Sequence, residues 1–213
     1  MQGLEAIEDK IRSAFVAKNA ARDAALARSR ELIRYCSLSI RATHRGEHDQ
    51  ALELLDKARG LAEAMKQDVA PYPDLYFTGY VQDSLKELAE ASIVHALITG
   101  QSVPDPDSLG IDYAAYLNGL GEAAGELRRY TLDIIRHDQL EPSERTLQAM
   151  EDIYSLLVTM DFPDALTGGL RRTTDMVRGV LERTRGDLTL AWRQEKLEKR
   201  LAEFEQEVNQ AGR

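Results

Sequence analysis

Two pairs of glutamates set the chemistry this chain can do. Glu87 and Glu90 stand three apart in residues 81–98, VQDSLKELAEASIVHALI, and Glu122 and Glu126 stand four apart in residues 119–129, GLGEAAGELRR. Side chains at either spacing share one face of a helix. Each stretch can therefore present a pair of carboxylates, and if the two faces meet, four converge. Oxygen donors gathered in this way suit hard divalent cations, with phosphodiester chemistry as the obvious use. The plainer alternative is two solvated helices whose acids serve only the surface.

Other site chemistries find little support. No glutamate stands three before a histidine, as a di-iron bundle requires: Arg41, Arg45, Ser92 and Ile134 occupy those places before His44, His48, His95 and His137. The chain has neither a GxxxxGK[ST] phosphate loop nor a GxGxxG turn. Cys36 is the single cysteine, which excludes an intrachain disulfide and a multi-cysteine metal site. His95, with no second histidine or thiol placed beside it, reads as a packed or solvated residue rather than a base. Tyr113 and Tyr116 read as core or interface residues.

A polyanion needs cations to bring it to such a site. The net charge of −9 argues against nucleic acid, but its distribution does not. Residues 1–45 hold nine Lys or Arg against five acids, a net of +4, leaving −13 on the remainder. Arg30, Arg34, Arg41 and Arg45 follow one another at spacings of 4, 7 and 4. On a helix they fall within a sector of about 60°, centred about 110° from the apolar stripe of Leu26, Ser29, Ile33, Cys36 and Ile40, and they span about 22 Å. Such a row can follow a phosphate backbone, or it can pair with acids of neighbouring helices.

These residues must be positioned by helices. Only 6 prolines occur among the 213 residues, and Ala, Leu, Glu and Arg dominate, which favours helix. Residues 4–45 read as one long helix and residues 49–66 as a second, with Leu52, Leu55, Ala58 and Leu61 inward. A third runs from Leu75 to about Thr99 and a fourth from Tyr113 to about His137. A fifth starts near a Ser143 cap and reaches Met160. A sixth runs from Leu170 to about Val208, with Gly179 and Gly186 as weak points. Leu190, Trp192, Leu197, Leu201 and Phe204 give its end a near-heptad pattern suited to oligomerisation. The expectation is an all-α bundle of six or seven helices forming one domain over residues 1–213. No apolar run is long enough to span a membrane and no secretory leader opens the chain, so a cytoplasmic protein is expected.

Three stretches carry a resemblance: residues 86–97 (KELAEASIVHAL), 115–129 (AYLNGLGEAAGELRR) and 162–188 (FPDALTGGLRRTTDMVRGVLERTRGDL). With the long N-terminal helix, they resemble the translin family, and the translin-associated factor X (Trax) branch more than translin itself. The resemblance implies a seven-helix fold, assembly into a hollow homo-octamer, and binding of RNA or single-stranded DNA. It also implies endoribonuclease activity with Mg²⁺, or Mn²⁺ in its place, at a site facing the interior. Glu87 and Glu90 fall on the Trax glutamate pair and Glu126 on the glutamate of the GEL run. Glu122 falls where Trax has an aspartate, a departure of one methylene. Of the four, Glu90 and Glu126 are expected as direct metal ligands, with Glu87 and Glu122 holding water or a second ion. Arg30, Arg34, Arg41 and Arg45 lead the expected RNA contacts, followed by Arg128, Arg129 and Arg136; a bridge from Arg129 to Glu126 is the alternative. The basic, His-rich segment of translin is not matched in residues 72–88. A non-catalytic RNA- or ssDNA-binding oligomer is the second reading and a purely structural scaffold the third.

Overall fold

A computed structural model describes residues 2–137 and 140–211. Six long helices carry the fold: α1 (Gln2–His44), α2 (His48–Val69), α4 (Gly79–Thr99), α6 (Tyr113–Ile135), α7 (Leu140–Val158) and α9 (Leu170–Ala211). Three four-residue helices sit in the connections: α3 (Pro73–Tyr76), α5 (Pro106–Leu109) and α8 (Asp164–Thr167). Among the described residues there is no strand, so the all-α expectation holds.

Helix α4 is the axis. Residues 88–96 are buried on every side, which marks a helix enclosed by others rather than an amphipathic one. Helices α1, α2 and α6 pack around it, and α6 in turn carries α7 and α9. The α4–α6 contact is unusually close. A Cβ on Gly119 would stand 2.6 Å from the Lys86 carbonyl oxygen and 2.9 Å from the Ala89 Cβ. Only glycine lets α6 approach α4 there, one turn before Glu122 and alongside Glu90. The backbone of α1 stops where Gly46 takes φ 74°, and the Glu47 N–H closes the turn on the Ala42 carbonyl at 2.9 Å. That turn fixes His44 at the end of α1.

Several expected details shift. The stripe of α1 is rotated slightly: Ala25, Ser29, Leu32, Cys36, Ser39 and Ile40 are buried, while Leu26 and Ile33 are half-buried. On α2, Leu52 is exposed, and Ala62, Met65 and Val69 extend the buried face past the expected end at residue 66. The expected third helix is divided, because α3 ends at Tyr76 and α4 starts at Gly79. Ser143 is no cap: it lies buried within α7, its hydroxyl donating to the Leu140 carbonyl at 2.5 Å. The gap expected between the fourth helix, ending near His137, and the fifth, starting near Ser143, falls partly on residues 138 and 139, outside the described residues. Helix α9 runs unbroken through Gly179 and Gly186. Tyr116 is buried, its hydroxyl donating to the Pro104 carbonyl at 2.8 Å, whereas Tyr113 is exposed. No described helix is long and apolar enough to cross a membrane.

Candidate metal centre and nucleic-acid interface

Helices α4 and α6 bring three of the four glutamates together. One carboxylate oxygen each from Glu87, Glu90 and Glu122 lies within 4.8 Å of the other two. Glu90 is the innermost, only 9% exposed, inside the buried run of α4. At an effective dielectric of about 20, two full charges at this separation repel by about 3.5 kcal/mol. The cluster therefore resists full ionisation by itself. Burial, then Glu87, Glu122 and Glu126, push the Glu90 carboxyl from its ordinary 4.5 up to about 8. Glu87 is also raised, by burial and then by Glu122. The Cys36 thiol, on the α1 face behind the cluster, is pushed up by burial and then by Glu87 and Glu90.

Each cluster member has its own surroundings. Lys86 Nζ donates to Glu122 Oε1 at 2.7 Å. Burial opposes the ammonium charge, yet this bond and the nearby acids leave the Lys86 pKa raised. Glu126 stands close enough to add to the repulsion felt by Glu87 and Glu90, but its carboxylate is engaged elsewhere. Its Oε2 accepts a hydrogen bond from His44 Nε2 at 2.6 Å, with Arg129 at 3.7 Å on the exposed side. The His44 bond outweighs burial and holds the Glu126 pKa below 4.5. Glu90 groups most closely with Glu87 and Glu122, and Glu126 is the next carboxylate acting on it. A trio of carboxylates, one of them nearly enclosed, fits Mg²⁺ or Mn²⁺ in donor type and charge. A solvated acidic face would instead disperse its charges into water.

Sequence reasoning missed His44 and Lys86. Lys86 stands four before Glu90, a spacing that puts it on the same face. His44 offered no local signal, since its partner is 82 positions away. His95 is packed rather than solvated, its Nδ1 3.2 Å from the Thr43 hydroxyl, but a second histidine does stand beside it: the His48 ring lies 5.9 Å away, and burial, then His48, lowers the His95 pKa.

Of the arginines, Arg30, Arg34 and Arg41 lie exposed on α1 with no acidic partner among the described residues. Arg45 pairs with Glu47 at the turn. Helical geometry puts His44 about 60° from Arg41, between the core stripe and the arginine row, so the row flanks the acidic centre. Arg128 bonds Asp187 at 2.8 Å and the Thr184 hydroxyl at 3.0 Å, tying α6 to α9. Arg129 takes up its alternative partner Glu126, and Arg136 lies near Asp133 at 3.6 Å. An open groove of about 1130 Å³ adjoins the cluster, with Lys86 and Glu122 on one wall and Phe77, Arg171 and Arg172 along it.

Comparison with known proteins places these features in company. No family model matches the chain. The uncharacterized protein MJ0175 of Methanocaldococcus jannaschii is 33% identical over 174 residues, covering 80% of this chain and 76% of that protein. Among solved structures, AfC3PO superposes with a TM-score of 0.80 at 36% identity, covering 86% of this chain and 95% of that one. AfC3PO in complex with duplex RNA gives 0.79 at 35% identity with the same coverage. The apo form of NeC3PO gives 0.79 at 21% identity, covering 86% and 96%, a likeness of fold alone.

Proposed function

Because the chain belongs to the translin family, among its Trax-like C3PO proteins, we propose that it is an RNA-binding oligomer and a divalent-cation-dependent endoribonuclease. The observation that carries the catalytic part is Glu90, a nearly enclosed carboxylate facing two others within 4.8 Å. Such an arrangement costs stability unless a cation is present to offset the repulsion. Glu87, Glu90 and Glu122 would hold that cation. What it supplies in such a site is neutralisation of the scissile phosphate and a lowered pKa for the attacking water.

The protein's own groups do the remainder. Lys86, bonded to Glu122, contributes positive charge at the mouth of the groove. Glu126, kept ionised by His44, adds a fourth carboxylate beside the trio. Arg30, Arg34 and Arg41 would hold phosphates from α1, with Arg129 at the rim of the centre. Backbone contacts of this kind carry little sequence preference. The apolar residues left exposed at both molecular ends would be covered by further copies, an octamer by family likeness. One domain over residues 1–213 is part of the same reading.

The duplex RNA bound by AfC3PO, together with the exposed arginine row, favours a second reading, a non-catalytic RNA- or ssDNA-binding oligomer. The two separate on incubation of purified protein with labelled RNA. Products that form with Mg²⁺ or Mn²⁺ and not without are expected from the first. Salt-sensitive binding with no products under either cation would establish the second.

A further inference from the structure

Lys86 sits inside the acidic centre rather than at its rim. It directly precedes Glu87 on α4 and stands four before Glu90. Its carbonyl lies at the closest approach of α6, where a Cβ on Gly119 would come within 2.6 Å, so the backbone that carries the ammonium has little freedom. The side chain is only 22% exposed and crosses to α6, where Nζ donates to Glu122 Oε1 at 2.7 Å. Its charge also reaches Glu87 and Glu90, where it offsets part of their repulsion. Arg129, by contrast, is 57% exposed and acts on Glu126, and Arg128 is committed to Asp187. Lys86 and Glu122 both line the open groove. A strand lying in that groove meets the ammonium where it meets the carboxylates.

Charge balance gives the ammonium a task beyond joining two helices. With Glu87, Glu90, Glu122 and Glu126 ionised and one divalent cation bound, the centre still carries two negative charges, which repel a phosphodiester. Lys86 cancels one of them. We propose that Lys86 is the phosphate contact of the acidic centre: its ammonium holds the phosphodiester that the groove delivers, and its charge weakens cation binding in return. The proposal rests on the nuclease reading for its kinetic arm alone. If RNA is cleaved, the same contact makes Lys86 a catalytic residue, because a fixed cation aimed at developing negative charge stabilises the transition state more than the ground state. The argument is one of sign. An ammonium among the carboxylates attracts phosphate and repels a divalent cation, so its removal moves the two affinities in opposite directions. Loss of a simple tie between α4 and α6 would weaken both.

The test uses the full-length protein and three readouts. Mn²⁺ binding is followed by electron paramagnetic resonance. Binding of the dinucleotide thymidylyl-thymidine, which carries a single phosphodiester, is followed by its effect on the signal of the Mn²⁺-loaded protein. RNA cleavage is the third. Lys86→Met keeps most of the stem and removes the charge. It is expected to bind Mn²⁺ several-fold more tightly and the dinucleotide several-fold more weakly. It is also expected to lose about tenfold or more in kcat with little change in KM, since other backbone contacts hold the strand. Lys86→Arg, which keeps the charge, is expected to stay close to the parent in both affinities. Mn²⁺ binding that is unchanged or weaker in Lys86→Met overturns the proposal, as does an unchanged dinucleotide affinity. Cleavage by Lys86→Met at the parent's kcat overturns the catalytic role. If Lys86→Met does not fold, Lys86→Gln is read by the same criteria, and failure of both to fold assigns Lys86 to the α4–α6 contact and overturns the proposal too. A parent protein that cleaves no RNA ends the nuclease reading, and the two affinities then decide whether Lys86 holds phosphate at the centre.

Discussion

A carboxylate that is nearly enclosed and faces two others sets the behaviour of the whole site, and its ionisation should be measurable. Glu90 moves from 4.5 in an unfolded chain to about 8 in the fold. An acid with a raised folded pKa contributes stability that is fully present below 4.5 and lost as pH rises to about 8. Without divalent cation, the melting temperature should therefore fall between pH 5 and pH 8. Mg²⁺ or Mn²⁺ should reverse the fall, and Glu90→Gln should flatten it; a parent profile as flat as the variant's would contradict the assignment. Glu126 has the opposite sign, its stabilisation present above 4.5 and lost at lower pH, so the two contributions occupy separate windows. At this scale the sequence was informative about acids and about the local partner Arg129 of Glu126, and silent about distant partners. The spacings of Glu87 with Glu90 and of Glu122 with Glu126 exposed their shared faces, because periodicity is local. His44 and Arg128 could not be read, since one reaches across to α6 and the other from α6 to α9.

Helices bring these side chains together, and Gly119 is the narrowest point in that arrangement. Gly119→Ala would place a methyl group against the Lys86 carbonyl, a backbone atom with no freedom to yield. The expected cost is about 2 kcal/mol, read as a lower melting temperature, with weaker Mn²⁺ binding because Glu122 is pushed away from Glu87 and Glu90. Gly125→Ala, with open space around its position, is the matching control and should do neither. The arginines divide by element too. Neutralising Arg34 and Arg41 on α1 should weaken RNA binding and reduce its salt dependence by close to one unit of slope per arginine. Arg128→Gln should lower stability through the lost tie to α9 and leave that slope unchanged. Helix existence and order were legible because Gly, Pro and apolar periodicity mark them in the chain. The break between α3 and α4 and the interior place of Ser143 were not, because a serine can sit inside a helix when its hydroxyl bonds back to a carbonyl of the preceding turn.

Across the whole molecule, the bundle core is concentrated around α4, while α1 and α9 each run well beyond it. Leu4, Ile7, Ile11 and Phe15 on α1 repeat at helical spacing and are exposed, as are Leu197, Leu201, Phe204 and Val208 on α9. Apolar seams of this length are expected to be covered by other chains. Replacing Leu201 and Phe204 with aspartate should lower the mass seen by light scattering and leave helix content unchanged; an unaltered mass would place the contact elsewhere. Such an assembly would confine RNA near the carboxylates, and the proposed chemistry would depend on Glu90. The most direct test is cleavage of a labelled single-stranded RNA with and without Mg²⁺ by the parent protein and by Glu90→Gln. Cleavage that requires Mg²⁺ and is lost in Glu90→Gln while RNA binding persists is the predicted result. Cleavage by Glu90→Gln at the parent's rate, or cleavage indifferent to Mg²⁺, would contradict it.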